Sequence, residues 1–258
     1  MPKKFVSDFK VVSNDKLNES YFRLRIAYNG ELPIILPGQF AEIRVDGSST
    51  TFLRRPISIH DVNIDKNEID LLINIVGDGT QTLSRLKSGD LLNMVYPLGN
   101  GFNLLSKDSS ALLVGGGVGI APLLYLGRKL KQKGVDVNYL LGFKSTKEII
   151  ALDDYNSCGN VFITTEDGSI GEKGFVTAHS ILYNLPIDKM YVCGPTPMMK
   201  AMAVFASKNN IDCEVSLETK MACGVGACLC CITETNEGHK CVCTDGPVFN
   251  IKDLTWQK

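Results

Sequence analysis

Short alternating apolar and polar stretches, separated by clusters of Pro, Gly, Asn and Asp, fill the first hundred residues. Regular spacing of such stretches predicts an all-β region, either a sandwich or a small barrel. One helical stretch, 80–87, interrupts the pattern, and the turn-rich segment 97–101 ends it. The predicted strands cover 5–12, 21–28, 40–45, 57–60, 69–76 and 91–95.

After residue 102 the pattern changes, because apolar runs now alternate with stretches of helical periodicity. Such alternation of strands and helices predicts a parallel sheet covered by helices. The predicted strands are 111–114, 135–143, 160–164, 190–193 and 213–217, and the predicted helices are 123–133, 148–155, 175–183 and 198–208.

The last forty residues are rich in cysteine, and four cysteines form a C-x4-C-x2-C-x11-C pattern: Cys223, Cys228, Cys231 and Cys243. The opening spacing is the one by which plant-type ferredoxins hold a 2Fe–2S cluster. Small residues surround the first two cysteines and let backbone N–H groups approach inorganic sulfide. The pattern therefore predicts one-electron transfer, with these four cysteines as the cluster ligands.

Disulfides fit these cysteines poorly, because the chain has an odd number of them, nine, and no secretory signal. We therefore expect a cytoplasmic protein whose thiols stay reduced. Zinc is the main competitor, although structural zinc usually takes two separate short knuckles. Cys241 competes with Cys243 for the fourth position, and we favour Cys243 because an Asp-Gly-Pro turn follows it.

Composition narrows the functional classes. The chain has 258 residues, of which 44% are hydrophobic and 21% charged, and its net charge is −1. Length allows one or two domains and a small module. The charge gives no case for nucleic-acid binding, and no apolar run is long enough to predict a membrane span.

A glycine-rich loop, Gly115-Gly-Gly-Val-Gly-Ile-Ala-Pro122, joins the first strand of the second region to its helix. In parallel sheets such a loop lets the backbone and a helix N-terminus approach a nucleotide phosphate. The usual dinucleotide fingerprint is not matched, since Ile120 stands where a third glycine would fall. Taken alone, the loop leaves a plain tight turn open as an alternative.

Four motifs in order resemble the ferredoxin–NADP reductase superfamily. Arg55-Pro-Ile-Ser58 is similar to its Arg-x-x-Ser flavin motif, and Gly77-Asp-Gly-Thr80 follows at the spacing of its flavin phosphate loop. The glycine loop and Cys193-Gly-Pro195 resemble its two pyridine-nucleotide motifs. The resemblance implies FAD contacts at Arg55, Pro56, Ile57, Ser58, Leu72, Ile73, Asn74, Gly79 and Thr80, and NAD contacts at Gly116, Gly117, Gly119, Cys193 and Gly194.

With the cysteine segment and the Asp-Gly-Pro-Val-Phe sequence that ends at Phe249, nearly the whole chain resembles one branch of this superfamily. That branch is the electron-transfer subunit of NAD-dependent (class 1B) dihydroorotate dehydrogenase, an enzyme of pyrimidine biosynthesis. The resemblance implies a six-stranded antiparallel flavin-binding barrel (1–101), a parallel-sheet NAD-binding domain (102–216) and a 2Fe–2S module (217–258). It also implies an FMN-containing catalytic partner subunit, in a heterotetramer of two plus two, with NAD as the electron acceptor.

Two departures from the family pattern stand at the flavin and cluster motifs. Ile73 and Asn74 replace the tyrosine and basic residue of many relatives, and Cys230 stands where relatives often have glycine. The alternative function is another flavin and iron–sulfur NAD(P)H reductase subunit, either hydrogenase-associated or similar to ferredoxin–NADP reductase. A zinc-stabilised NAD-binding protein without redox function is the third. No side chain is predicted to be catalytic, and the preference for NAD over NADP stays open.

Overall fold

The first structural unit is a closed barrel of six strands, in the order β1-β2-β5-β4-β3-β6, with every neighbouring pair antiparallel. The structure is a computed structural model that describes residues 3–257. A short helix, α1 (Asp78–Leu83), follows β5. The strands are β1 (Phe5–Lys16), β2 (Tyr21–Ala27), β3 (Phe40–Ile43), β4 (Arg55–Asn63), β5 (Glu68–Asn74) and β6 (Leu91–Leu98).

Alternation along the strands gives the barrel two different faces. On β3, Ala41 and Ile43 belong to the core inside the barrel. Phe40, on the other face of the same strand, packs in a second core with Leu98 and with residues of the C-terminal segment. The outside of the barrel at β3 and β6 is therefore a packing surface for the rest of the chain.

The second unit is a seven-stranded sheet in the order β10-β9-β8-β7-β11-β12-β15. Its first six strands are parallel, and β15 pairs antiparallel with β12 at one edge. The strands are β7 (Ser110–Gly116), β8 (Asp136–Phe143), β9 (Asn160–Thr165), β10 (Glu172–Lys173), β11 (Lys189–Cys193), β12 (Asp212–Ser216) and β15 (Val248–Asn250).

The helices of this unit are α2 (Ala121–Gln132), α3 (Leu152–Asn156), α4 (Ile181–Asn184) and α5 (Thr196–Lys208). Within residues 3–257, no helix is long and apolar enough to cross a bilayer. The helices predicted at 123–133 and 198–208 are confirmed with small shifts of their ends. The helix predicted at 80–87 is confirmed only in its first part, because α1 ends at Leu83.

Two predicted helices are wrong as continuous elements. In 148–155 the backbone of Ala151 is left-handed, with φ of 54°, and a right-handed helix cannot pass through it. In 175–183 the chain forms a 3₁₀ turn (Val176–Ala178), becomes extended at His179 and only then enters α4. The His179 ring accepts a hydrogen bond from the N–H of Ile181 at 3.0 Å, which stabilises this break.

The C-terminal segment contains strands that periodicity did not predict. The hairpin β13 (Ile232–Thr235) and β14 (Gly238–Cys241) stands apart, whereas β15 returns to the sheet beside β12. Next to that pair, the N–H of Leu217 donates to the carbonyl of Pro247 at 2.8 Å. Residues 218–246, which contain six cysteines, therefore form a loop whose two ends are tied together at the sheet edge.

A buried ion pair ties β11 to β12 on this side of the sheet. Lys189 Nζ lies 3.0 Å from Glu214 Oε1 and 3.1 Å from Asp212 Oδ2. Glu214 is 2% exposed and also accepts a hydrogen bond from the N–H of Asn103 at 3.0 Å. A buried carboxylate without a cation lowers the stability of the fold. The ion pair therefore stabilises β12, the strand from which the cysteine loop begins.

Replacing Lys189 by Met should therefore lower the free energy of unfolding by about 3–5 kcal/mol, because Glu214 stays buried without its cation. Denaturant unfolding followed by circular dichroism measures this. The matched control is Lys16→Met, which removes an exposed ion pair to Glu19 and should cost about 1 kcal/mol or less. Equal effects of the two substitutions would contradict the role given to Lys189.

Candidate functional site

Two cavities meet in the cleft between the barrel and the sheet. The barrel-side cavity has a volume of about 290 Å³, and the sheet-side cavity has a volume of about 540 Å³. Side chains and backbone from β4, β5 and the glycine loop converge there. The cleft is therefore where the motifs predicted for flavin and for nicotinamide dinucleotide come together.

The residues predicted to contact FAD gather at the barrel-side cavity. All of them line it except Gly79, which lies behind Arg55: a Cβ at Gly79 would stand 3.2 Å from Arg55 Cδ. Sequence reasoning missed the part of the cavity lining that lies outside the flavin motifs, most of which comes from the glycine loop and from the segment after β12. The lining residues are Arg55, Pro56, Ile57, Ser58, Leu72, Ile73, Asn74 and Thr80, with Phe40, Val76, Val118, Ala121, Ser216, Leu217, Glu218, Thr219, Met221 and Pro247 not predicted.

Arg55 of the flavin motif and its neighbour Arg54, which precedes the motif, have different surroundings. Arg54 is used by the fold, because its guanidinium donates to Asn93 Oδ1 at 2.6 Å and to the carbonyl of Glu42 at 3.2 Å. Arg55 instead lines the cavity. A guanidinium in that position can form paired, charge-assisted hydrogen bonds with a pyrophosphate, so the barrel-side cavity fits the diphosphate of FAD.

Thr80 uses its hydroxyl within its own turn. Its Oγ1 accepts hydrogen bonds from the N–H groups of Val76 at 2.9 Å and Gly77 at 3.2 Å. The same hydroxyl donates to the carbonyl of Gly77 at 3.1 Å. The structure therefore gives Thr80 the role of shaping the loop before α1, and its contact with a phosphate stays a prediction.

The glycines predicted for the nucleotide line the sheet-side cavity. Gly117 has φ of 55°, and a Cβ at Gly119 would lie 2.5 Å from the carbonyl oxygen of Cys193, so a side chain has no room there. Cys193 itself is buried behind the cavity wall and does not line it. Besides Gly116, Gly117, Gly119 and Gly194, the lining includes Tyr21, Asn74, Val118, Lys144, Glu148, Thr164, Glu166, Met198 and Glu218.

The first cysteine of the motif sits in a tight backbone loop. The N–H groups of Val225 and Ala227 donate to Cys223 Sγ at 3.4 and 3.3 Å. Gly224 and Gly226 have φ of 65° and 84°, a conformation that favours glycine. Although desolvation alone would raise the pKa of Cys223, the backbone of Val225, Cys228 and Ala227 together with the Cys228 thiol lowers it to about 6. The loop therefore stabilises a thiolate, which is the form that binds iron.

The four predicted ligands form two pairs. Cys223 and Cys228 lie toward the surface of the loop, whereas Cys231 and Cys243 are buried, and the N–H of Cys243 donates to Cys231 Sγ at 3.4 Å. In residues 3–257, no three His, Cys, Asp or Glu side chains are grouped around one ion position. A two-iron cluster held by four cysteines needs only two thiolates at each iron, so the paired arrangement fits 2Fe–2S.

The two rival cysteines are placed differently. Cys230 is exposed and its Sγ faces the carbonyl of Lys220 at 3.6 Å. Cys241 is partly buried at the end of β14, where its N–H donates to Asp245 Oδ2 at 2.7 Å. The choice of Cys243 over Cys241 remains a prediction. The remaining cysteines, Cys158, Cys193 and Cys213, are buried in the sheet unit as expected of ordinary core thiols.

Glu42 is a buried acid next to this loop that sequence reasoning missed. It is 0% exposed, and among the described residues neither carboxyl oxygen has a hydrogen-bond partner. A Cβ at Gly224 would lie 2.7 Å from Glu42 Cγ, so the cysteine loop packs directly on it. Burial raises the pKa of Glu42 to about 7, and Arg55 and Arg54 oppose that rise. A single Glu within a strand carries no sequence signal for such a position.

Two family models match the chain. Residues 218–255 match the iron–sulfur cluster binding domain of dihydroorotate dehydrogenase B. Residues 113–203 match the oxidoreductase NAD-binding domain. The two matches fall on the cysteine loop and on the sheet with its glycine loop, the regions that carry the cluster and nucleotide motifs.

Curated relatives resemble the chain over nearly its whole length. Each is a dihydroorotate dehydrogenase B (NAD(+)) electron transfer subunit. The relative from Caldanaerobacter subterraneus subsp. tengcongensis is 41% identical, over 95% of this chain and 96% of its own. Those from Fusobacterium nucleatum and Bacillus pumilus are 36% and 38% identical, over 96% and 95% of this chain and 98% and 96% of theirs.

Solved structures share the architecture. A chain of an NADH-dependent reduced ferredoxin–NADP oxidoreductase, studied for flavin-based electron bifurcation, has a TM-score of 0.87 and 31% identity, covering 96% of this chain and 90% of that one. A ferredoxin NADP+ reductase from Neisseria gonorrhoeae has a TM-score of 0.64 and 16% identity, covering 79% and 91%. The predicted order of antiparallel barrel, parallel-strand sheet and C-terminal iron–sulfur segment is confirmed.

Substituting serine for Cys223, Cys228, Cys231 or Cys243 should abolish the cluster, because each would remove a thiolate ligand. Iron and labile-sulfide analysis, with the visible absorption of the purified protein, measures the loss. The matched controls are Cys230→Ser and Cys241→Ser, which should keep full iron content. Loss of the cluster in Cys241→Ser, with retention in Cys243→Ser, would show that the fourth ligand was wrongly chosen.

Replacing Arg55 by Ala should weaken FAD binding about 10- to 100-fold, the effect of losing hydrogen bonds to a charged group. Fluorescence titration of the deflavinated protein with FAD measures this affinity. Arg44→Ala is the control, since Arg44 forms an exposed ion pair with Asp46 and does not line the cavity. An unchanged FAD affinity in Arg55→Ala would contradict the pyrophosphate role.

Proposed function

The chain belongs to the family of dihydroorotate dehydrogenase B electron-transfer subunits, and from this premise we propose that it passes electrons from a catalytic partner subunit to NAD⁺ through a 2Fe–2S cluster and FAD. It is an oxidoreductase subunit with an NAD-binding domain and an iron–sulfur segment. The observation that carries the proposal is that the three sites lie next to one another just beyond the end of β12. Glu218 lines both cavities and Met221 lines the barrel-side cavity. Cys223 follows Met221 by two residues.

The residues of this chain bind and orient rather than react. We assign Arg55 to the flavin pyrophosphate and Ser58 to the N5 edge of the flavin ring, both from their place in the barrel-side cavity. We assign the dinucleotide to the glycine loop, because Gly117 and Gly119 line the sheet-side cavity and a Cβ at Gly117 would meet only the Tyr21 hydroxyl, at 3.7 Å. FAD, when bound, supplies the conversion between one-electron and two-electron transfer.

The partner is expected to carry the organic substrate. Of the three histidines, His60 is buried against the carbonyl of Ala121 at 2.8 Å, His179 lies by α4, and His239 is exposed on β14. None of them lines either cavity of the cleft. We therefore assign dihydroorotate oxidation to an FMN-containing catalytic subunit and propose a heterotetramer of two copies of each chain.

The cysteine loop offers a surface for that subunit. Val225 and Leu229, on either side of Cys228, are 42% and 58% exposed. Exposed apolar side chains beside an electron carrier favour protein contact. We also propose a cytoplasmic location, because the described structure pairs none of its nine cysteines in a disulfide.

A second candidate function has one observation in its favour. The NADH-dependent reduced ferredoxin–NADP oxidoreductase chain, at 31% identity, matches this architecture over nearly its whole length. In that case the chain would be a flavin and iron–sulfur reductase subunit with a different partner. The curated relatives are more similar in sequence, at 36–41% identity, and this is why we place the dihydroorotate dehydrogenase role first.

Co-expression with a candidate FMN subunit should give a complex that reduces NAD⁺ with dihydroorotate. The chain alone should oxidise NADH with an artificial acceptor and show no dihydroorotate oxidation, because it lacks the FMN site. In the complex, Cys223→Ser should abolish dihydroorotate-dependent NAD⁺ reduction and keep the NADH–acceptor activity.

Three results would contradict these assignments. Dihydroorotate turnover by the chain alone would refute the subunit role. Ferredoxin-dependent activity in place of dihydroorotate oxidation would establish the second candidate. A colourless protein containing zinc would refute both.

A further inference from the structure

Glu218 lies where the two cavities of the cleft meet. It follows β12 and lines both the barrel-side and the sheet-side cavity. Only two other residues of the described chain line both cavities, Asn74 and Val118, and neither carries a charge. Where the two cavities meet, the protein therefore presents one ionisable side chain, and it is a carboxylate.

No cation of the cleft neutralises this carboxylate. Arg55 lines the barrel-side cavity only, and Lys144 lines the sheet-side cavity only. Within residues 3–257, neither forms an ion pair with Glu218. The side chain is exposed to the cleft, and partial desolvation there raises its pKa. Because no counter-ion holds this carboxylate, its charge acts on a ligand a few ångströms away, reduced by the water that screens an exposed group.

The proposed function brings a charge-changing group to this junction. The flavin occupies the barrel-side cavity and the dinucleotide the sheet-side cavity, so the nicotinamide ring has to reach the boundary between them. The oxidised ring carries a positive charge, and the reduced ring is neutral. A carboxylate at the boundary attracts the first and has no such attraction for the second.

We propose that Glu218 is the specificity-determining residue by which this site binds the oxidised nicotinamide ring in preference to the reduced one. The inference rests on the proposed function, because it takes the two cavities as the flavin and dinucleotide sites. The preference favours NAD⁺ reduction. The carboxylate attracts the cationic ring of NAD⁺, and this attraction is lost once the ring is reduced to the neutral form in NADH.

The test uses the complex loaded with FAD and cluster, in its oxidised form, and two ligands that do not react with it. They are NAD⁺ and 1,4,5,6-tetrahydro-NAD, whose ring is neutral. In Glu218→Gln, the Kd of NAD⁺ should rise about 5- to 20-fold, the range expected for a unit charge a few ångströms from a carboxylate in a partly screened cleft. The Kd of tetrahydro-NAD should change less than about twofold. Calorimetry gives both values without relying on turnover.

Two carboxylates of the same cleft serve as matched controls. Glu148 and Glu166 line the sheet-side cavity but not the junction. Substituting Gln for either should change the Kd values of both ligands by the same factor. Glu218→Asp keeps the charge and should keep the preference for NAD⁺, which makes it the variant to use if Glu218→Gln loses FAD or cluster.

The outcomes separate this inference from the proposed function. If Glu218→Gln changes the Kd of both ligands equally, or changes neither, Glu218 does not select the oxidised ring. The proposed function would still stand in that case, because it is tested separately by the dihydroorotate–NAD⁺ activity of the native complex. A native complex that binds neither ligand overturns both. A preference for NAD⁺ that is unchanged in Glu218→Gln but lost in Glu166→Gln would place the discriminating charge at Glu166 instead.

Discussion

The closure of the cysteine loop at the sheet edge is the constraint on which the functional site depends. β15 pairs with β12, and the N–H of Leu217 donates to the carbonyl of Pro247 beside that pair. Both ends of the loop are thereby held at the carboxyl end of β12, next to the cleft. A loop tethered only at one end would lose more conformational entropy on becoming ordered against the barrel.

The barrel completes this anchoring from the other side. Asn100 Nδ2 donates to the carbonyl of Asp245 at 2.9 Å, and Phe40 and Leu98 share a core with Cys231 and Cys243. The inner pair of cysteines is thus buried between barrel and sheet, whereas Cys228 is exposed. This asymmetry suits an electron carrier that has to face a flavin within its own chain and a partner outside it.

Local patterns explain what could be predicted. The glycine loop predicts a nucleotide-binding region and the cysteine spacing predicts an iron–sulfur segment. Matches to the NAD-binding and iron–sulfur family models confirm both regions. Both could be predicted because each motif lies within a short stretch of the chain. The helices at 148–155 and 175–183 were wrong, since a left-handed Ala151 and an extended His179 are set by packing that periodicity does not report. Thr80 was found at the cavity, but its hydroxyl serves its own turn.

The sequence by itself determined the order of all-β region, parallel nucleotide sheet and cysteine segment, and the four motifs that indicate the cofactors. It did so because hydrophobic periodicity and motif spacing are properties of neighbouring residues, whereas the same pattern left a sandwich and a barrel equally open until the six strands were seen to close. Only the tertiary structure decided that β15 closes the loop, that Glu42 is buried under Gly224, and that Glu218 stands where the two cavities meet. Each of these depends on contacts between segments far apart in the chain, for which a single sequence carries no local signal.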